Sequence, residues 1–279
     1  MDTTMCQTPG NGIKKIVFVD LDGTIIDYTG QPFPGVPEAI GKLKSRGVDV
    51  ILATGRMLGS AVRHVRKLGL SSPVIAYNGA LVADVETGKW LLHRSLASSL
   101  AADIIAAATG EEATVMCFIN DRYLTNKMDD KVKAYEERSQ VSALVISDLH
   151  RAVDAPPSKV LVVCGTRKQF ERVRSVLQNG FGTSIHMAES RTGYLEVLAR
   201  GVTKASAALW VCSRLKIDIE SAAAFGDNMN DLELLSSVGF AGAMESAPAA
   251  LKEAAQMTVS SPERGGLAEA LLSLLQSKV

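Results

Sequence analysis

Short apolar runs that end in polar, glycine-bearing turns, with amphipathic stretches between them, restrict the fold of this chain more than any other feature. Ile16-Val17-Phe18-Val19 leads into Asp20-Leu21-Asp22-Gly23-Thr24, the run at 48–53 into Thr54-Gly55-Arg56, and the run at 74–76 into Tyr77-Asn78-Gly79-Ala80. Between the first two, Val36, Ala39, Ile40 and Leu43 recur at helical spacing, with Gly47 following where a helix would stop. Leu58–Leu68 repeats the pattern, with Gly69 placed as a left-handed cap. Strands alternating with helices imply right-handed crossovers and a parallel sheet covered on both faces. Such sheets bind ligands beyond the carboxyl ends of their strands.

From about Asp84 the pattern changes. Strand-like pieces at Trp90–His93, 115–119 and Tyr123 surround an alanine-rich helix at 96–108; a helix at 129–139, strands at 144–147 and 159–164, and a helix at 168–177 follow. The parallel rhythm resumes after Tyr194-Leu195-Glu196-Val197, with a helix at 203–215, a strand at Ala222 and a last helix at 267–275. The predicted class is α/β: a Rossmann-like doubly wound parallel sheet from residues 1–84 and 196–279, split by a large inserted α/β domain over 85–195. Residues 1–12 are polar, lack an apolar signal core and read as a loose tail.

Composition narrows the partners. Thirty basic residues balance thirty acidic ones, which argues against a grip on nucleic acid or an anionic membrane. The groups Arg63, Arg66, Lys67 and Arg167, Lys168, Arg172, Arg174 read as solvated helix faces. No apolar stretch reaches the roughly 20 residues that a membrane helix needs. Cys6, Cys117, Cys164 and Cys212 form no paired spacing, and His64, His93, His150 and His186 are scattered, which argues against disulfides and against a zinc site. A small-molecule partner, no evident protein partner and a cytoplasmic location are expected.

The acids carry the chemistry. Asp20 and Asp22 end one apolar run, and Gly226-Asp227-Asn228-Met229-Asn230-Asp231 ends another, Ala222-Ala223-Ala224-Phe225. Carboxylates at neighbouring strand ends suit Mg2+, which takes oxygen ligands and keeps several waters beside a substrate phosphate. A carboxylate attacking a phosphate dianion meets repulsion of about 4 kcal/mol per pair of unit charges at ~4 Å and an effective dielectric of ~20, which a divalent cation offsets. Asp20 is then the nucleophile and Asp22 the acid and later the base, a role that needs a raised pKa. Thr54 offers a hydroxyl beside the open backbone of Gly55, and Lys204 adds a cation at a helix start. Taken singly, Asp22-Gly23 is a turn, Lys204 a solvated helix residue and Asn230-Asp231 a cap; their joint placement at strand ends favours a site.

Together these residues resemble the haloacid dehalogenase superfamily, specifically its Cof-type (class IIB) phosphatases with a large cap inserted after the third core strand. The resemblance runs through Val19-Asp20-Leu21-Asp22-Gly23-Thr24, Ala53-Thr54-Gly55-Arg56, Asn78-Gly79-Ala80, the segment from Glu196 to Lys204 that ends Gly201-Val202-Thr203-Lys204, and the segment at 226–231. It implies Asp20 as nucleophile and metal ligand, Asp22 as acid and base with its carbonyl on Mg2+, Asp227 as metal ligand and Asp231 as a carboxylate orienting the metal's waters. It further implies phosphate contacts from the Leu21 backbone, Thr54, Gly55, Lys204 and Asn230; Arg56 and Asn78 are candidate substrate contacts. The chain departs from the family pattern at Met244-Glu245-Ser246-Ala247 and over 260–267, in loops beside the site. The implied activity is hydrolysis of a small phosphorylated metabolite, a sugar phosphate above all. The rivals are a phosphomutase and a non-catalytic sugar-phosphate sensor.

Overall fold

The structure is a computed structural model and describes residues 16–276, so the expected tail at 1–12 lies outside the described residues. Its first half-core runs β1 (Ile16–Val19), α1 (Val36–Ser45), β2 (Asp49–Ala53), α2 (Leu58–Leu68), β3 (Ser71–Ala76), β4 (Leu81–Ala83) and β5 (Trp90–His93). Then come α3 (Ser98–Gly110), β6 (Thr114–Ile119), β7 (Arg122–Thr125), α4 (Asp130–Ser139), β8 (Leu144–Val145), β9 (Lys159–Val163), α5 (Arg167–Phe181), β10 (Ile185–Arg191) and β11 (Tyr194–Ala199). The chain closes with α6 (Lys204–Leu215), β12 (Ala222–Gly226), α7 (Leu232–Ser237), β13 (Phe240–Met244), α8 (Ala249–Ala254), β14 (Met257–Val259) and α9 (Gly266–Ser273).

Eight strands form one sheet in the order β14-β13-β12-β1-β2-β3-β4-β5, parallel as far as β3 and antiparallel beyond it. Alternate side chains of a strand point to opposite faces, and both faces of β1 are covered. Val17 and Val19 join α1, α2 and α9 on one side, while Ile16 and Phe18 join α6, α7 and α8 on the other. That is the doubly wound α/β arrangement.

The other six strands form a second sheet, β10-β11-β9-β6-β7-β8. α3 and α5 cover one face, and an aromatic group of Phe118, Tyr123 and Tyr135 covers the other. Phe118 meets Tyr77 of the first unit edge-on at 5.8 Å, so the two units share apolar contact.

Two strands change sides relative to the sequence reading. Trp90–His93, expected in the insert, pairs with β4 in the eight-stranded sheet; Glu196 and Val197, on the core side of the expected boundary at 195, belong with Tyr194 and Leu195 to the strand that pairs with β9 and β10. Short strands carry the same alternation in either sheet, so pairing partners, fixed by hairpin register, decide membership.

Gly79 marks where the two halves of the core meet. Its φ is +98°, and a Cβ there would stand 2.1 Å from the Thr203 carbonyl. Gly79→Ala should cost about 3 kcal/mol from positive-φ strain and overpacking, whereas Gly41→Ala, in α1 with nothing near its added Cβ, should gain about 0.5–1 kcal/mol. Thermal melts of the two variants, moving in opposite directions from the parent, check both signs.

Candidate active site

Strand order decides which acids meet. β1 lies between β2 and β12, and the parallel register sets Val19 beside both Leu52 and Phe225. Asp20, Thr54 and Asp227 therefore leave the sheet at one edge. The Asp20 N–H donates to the Phe225 carbonyl at 2.9 Å, carrying the pairing one residue past the strand. Carboxylate oxygens of Asp20, Asp227 and Asp231 come within 4.8 Å of one another. Lys204, fully buried, donates to Asp20 Oδ1 at 2.5 Å and to Asp231 Oδ1 at 2.6 Å. Its position at the start of α6 is fixed by a capping box, in which Thr203 Oγ1 accepts from the Ser206 N–H and Ser206 Oγ accepts from the Thr203 N–H.

Asp231 is anchored at both oxygens, because its Oδ2 also accepts the N–H groups of Asp227 and Asn228, each at 3.2 Å. Asp227 lacks such anchors. Among the described residues its carboxylate accepts one long hydrogen bond, from Thr24 Oγ1 at 3.4 Å. Glycine at position 23 makes room for it: φ is +80°, and a Cβ there would lie 2.4 Å from Asp227 Oδ2.

Three carboxylates thus face one ammonium. Burial, joined by the charges of Asp231 and Asp22, pushes Asp20 up to about 7 against the pull of Lys204. Burial and the charges of Asp20 and Asp231 push Asp227 up to about 9. Burial opposes the Lys204 charge, but the two carboxylates outweigh it and raise its pKa. An oxygen-only donor set with excess negative charge fits a hard divalent cation, and Asp227 is the member most in need of a counter-charge.

Asp22 turns the other way, into a two-pronged ion pair with Arg56: Nε donates to Oδ2 at 2.8 Å and Nη2 to Oδ1 at 2.6 Å. Burial would raise this acid, but the hydrogen bonds and charge of Arg56 prevail and hold it below the usual carboxylate range. Arg56 Nη1 also lies 3.1 Å from His64 Nε2. Burial and the Arg56 charge push His64 down to about 4, which makes it a neutral acceptor. The raised pKa that the sequence reading asks of Asp22 is therefore not present in this arrangement, because Arg56 is spent on it.

These groups floor a cavity of about 410 Å³, lined from the core by Asp20, Asp22, Thr54, Gly55, Arg56, Asp227 and Asn230. Lys204 and Asp231 stand behind that floor. Asn78 does too: its Oδ1 accepts from Asn230 Nδ2 at 3.0 Å, and its Nδ2 is a buried donor without a partner among the described residues. Leu21 buries its side chain in the core, and its carbonyl accepts from the N–H groups of Ile25 and Ile26.

The model of the haloacid dehalogenase-like hydrolases matches residues 17–271. The chain belongs to the haloacid dehalogenase-like hydrolases. YxeH of Bacillus subtilis (strain 168) is 27% identical over 95% of this chain and 99% of its own length. The HMP-PP phosphatase of Enterobacter sp. (strain 638) is 28% identical over 81% of this chain and 82% of its own. Among solved structures, the HAD subclass IIB sugar phosphatase BT4131 superposes with a TM-score of 0.81 over 92% of this chain and 98% of that one, at 18% identity, a likeness of fold. Within the hydrolases the chain is a Cof-type phosphoric monoester hydrolase.

In this haloacid dehalogenase-like chain the second sheet supplies the roof of the cavity, and the sequence reading missed its residues: Tyr135, Arg138 and Ser139 from α4, Lys159 from β9, and Arg191, Tyr194 and Glu196 from β10 and β11. Lys159 is buried beneath Phe118, donates to the Gly55 carbonyl at 2.9 Å and pairs with Glu196 at 2.6 Å. Asp121, in the β6–β7 turn, accepts from Tyr77 Oη at 2.7 Å and from the Gly59 N–H at 2.8 Å, which also ties the roof to the floor. One signal was available: Lys159-Val160-Leu161-Val162 and Leu195-Glu196-Val197-Leu198 each carry a lone charge in a buried run, and opposite lone charges in two buried strands call for each other.

Proposed function

We propose that this protein is a Mg2+-dependent phosphatase of a small phosphorylated metabolite, of the sugar-phosphate class, working through an aspartyl-phosphate on Asp20. The observation that carries the reading is the cavity floor, where Asp20, Asp227 and Asp231 gather around buried Lys204 with more negative charge than the protein itself balances. The names of the HMP-PP phosphatase and of the sugar phosphatase BT4131 support the same class of substrate.

Asp20, Asp227 and the Asp22 carbonyl would hold Mg2+, with Asp231 orienting its waters. The bound ion would supply the positive charge that lets a carboxylate approach an anionic ester. Thr54 and Asn230 on the floor, with the Gly55 backbone, would hold the phosphate oxygens, and Lys204 would fix the attacking oxygen of Asp20. Asp20 Oδ bonds to phosphorus as the ester P–O bond breaks, and the leaving oxygen takes its proton from Asp22. In the second step Asp22 takes a proton from water, the water oxygen bonds to phosphorus, and the Asp20–phosphorus bond breaks to release phosphate. Asp22 can carry that proton only when Arg56 leaves its carboxylate, and an incoming anionic ester is the partner able to draw Arg56 away.

The test is release of inorganic phosphate from a panel of sugar phosphates with Mg2+ or with EDTA. Turnover in Mg2+ that stops in EDTA is expected; equal rates in both, or no release from any ester, would refute the reading.

A further inference from the structure

The acids that line the cavity are already matched. Asp22 pairs with Arg56, Glu196 with Lys159 and Asp20 with Lys204, while Asp227 belongs to the candidate metal cluster. Two lining cations are left over. Among the described residues, the side chains of Arg138 in the last turn of α4 and of Arg191 at the end of β10 make no hydrogen bond or ion pair; their contacts are with aromatic rings. The Arg138 guanidinium carbon lies 5.2 Å from the Tyr135 ring centre and 5.7 Å from that of Tyr194. The Arg191 carbon lies 5.7 Å from the centre of the Tyr194 ring and 6.0 Å from that of Tyr28, a core residue 84% exposed at the cavity mouth. Tyr194 thus has a guanidinium near it from each of two elements.

Contact with a ring face steadies a guanidinium while leaving its N–H edge available, and that edge matches the two oxygens of a carboxylate or phosphate. The positive field of Arg138 is felt within the cavity, where it disfavours the charge of Lys159. Both arginines belong to the second sheet and its helix, on the opposite wall from Thr54, Gly55 and Asn230. A substrate whose phosphate rests on the floor therefore presents its non-reacting end to them. A neutral polyol would leave both cations without a counter-charge.

We infer that the preferred substrate is a phosphomonoester whose leaving group bears a second acid, a carboxylate or a further phosphate, received by Arg138 and Arg191 around Tyr194. The inference rests on the phosphatase reading above and names the substrate class of that same site.

Three esters test it: glucose 6-phosphate with a neutral leaving group, 6-phosphogluconate with a carboxylate, and glucose 1,6-bisphosphate with a second phosphate. At least one acid-bearing ester should exceed glucose 6-phosphate in kcat/KM by about 10- to 100-fold, the size expected of charge-assisted contacts; which one does so identifies the acid. Arg138→Gln and Arg191→Gln should each lower that ratio by roughly tenfold. Arg191→Glu should shift preference toward glucosamine 6-phosphate, which bears an amine. Arg191 is exposed and Arg138 half-buried, so the variants test recognition rather than folding. If glucose 6-phosphate matches or beats both acid-bearing esters, or if the preference survives in both glutamine variants, the second-acid inference falls while the phosphatase reading stands. If no ester releases phosphate, both fall together.

Discussion

Asp20→Asn should lower Mg2+-supported phosphate release by on the order of 10⁴-fold or more, the scale on which removing a covalent nucleophile acts, without lowering the melting temperature above neutral pH. The amide keeps the shape of the carboxylate but cannot form the acyl-phosphate bond. It also removes one of three clustered negative charges, leaving Lys204 paired with Asp231 at 2.6 Å. Because the surroundings push Asp20 up to about 7, its ionised form costs stability at higher pH, and neutralising it relieves that cost. The paired readout separates a chemical role from a structural one, since a framework residue would lose stability and activity together. Phosphate release that survives the substitution would remove Asp20 from the reaction. Isomerised ester without free phosphate in the parent would point to a phosphomutase, and tight binding without turnover in Mg2+ to a sensor.

The parts legible in sequence were those governed by local pattern. Helix α2 begins and ends at Leu58 and Leu68 as the periodicity predicts, and Gly69 adopts the left-handed cap with φ of 62°. Strand-end acids could be read as neighbours because a parallel sheet brings its carboxyl ends to one edge. Strands such as β13, Phe240-Ala241-Gly242-Ala243-Met244, escaped notice because alanine and glycine have little strand preference of their own; β12 and β14 on either side hold that run extended. The Asp22–Arg56 pair was illegible for a different reason. Spacing put both residues at the same sheet edge but said nothing of which partner a guanidinium would take. Arg138, Arg191 and Tyr194 were illegible because a helix end and a strand turn more than fifty residues apart in sequence meet only through the packing of α4 beside the second sheet.

The same charge excess predicts how the metal-free protein responds to pH. Asp20 and Asp227 have pKa values raised from 3.8 to about 7 and about 9, so the folded state holds protons that the unfolded chain has already released. A raised acid contributes stability that is complete below its unfolded pKa and is lost as pH rises through its folded pKa. His64 acts in the opposite sense at lower pH: burial depresses it to about 4, so its contribution is present above 6.5 and lost on acidification. Above pH 6.5 the carboxylates therefore govern the profile, with the thiols of Cys117, Cys164 and Cys212, which burial pushes up, adding to the decline only as pH approaches 9. In EDTA, stability should decline across the window from pH 6.5 to 9 by about 2 kcal/mol after allowance for solvent screening at Asp227, seen as a fall of about 5 °C in melting temperature for a chain of this size. Saturating Mg2+ should reverse the trend, raising the melting temperature more at pH 9 than at pH 6.5, because the ion competes with protons for the same oxygens. Asp227→Asn should flatten the EDTA profile, remove most of the Mg2+ response and cut phosphate release by roughly 10²-fold or more. A flat EDTA profile in the parent, or a Mg2+ response that persists unchanged in Asp227→Asn, would show that the cation is not held where Asp20, Asp227 and Asp231 converge.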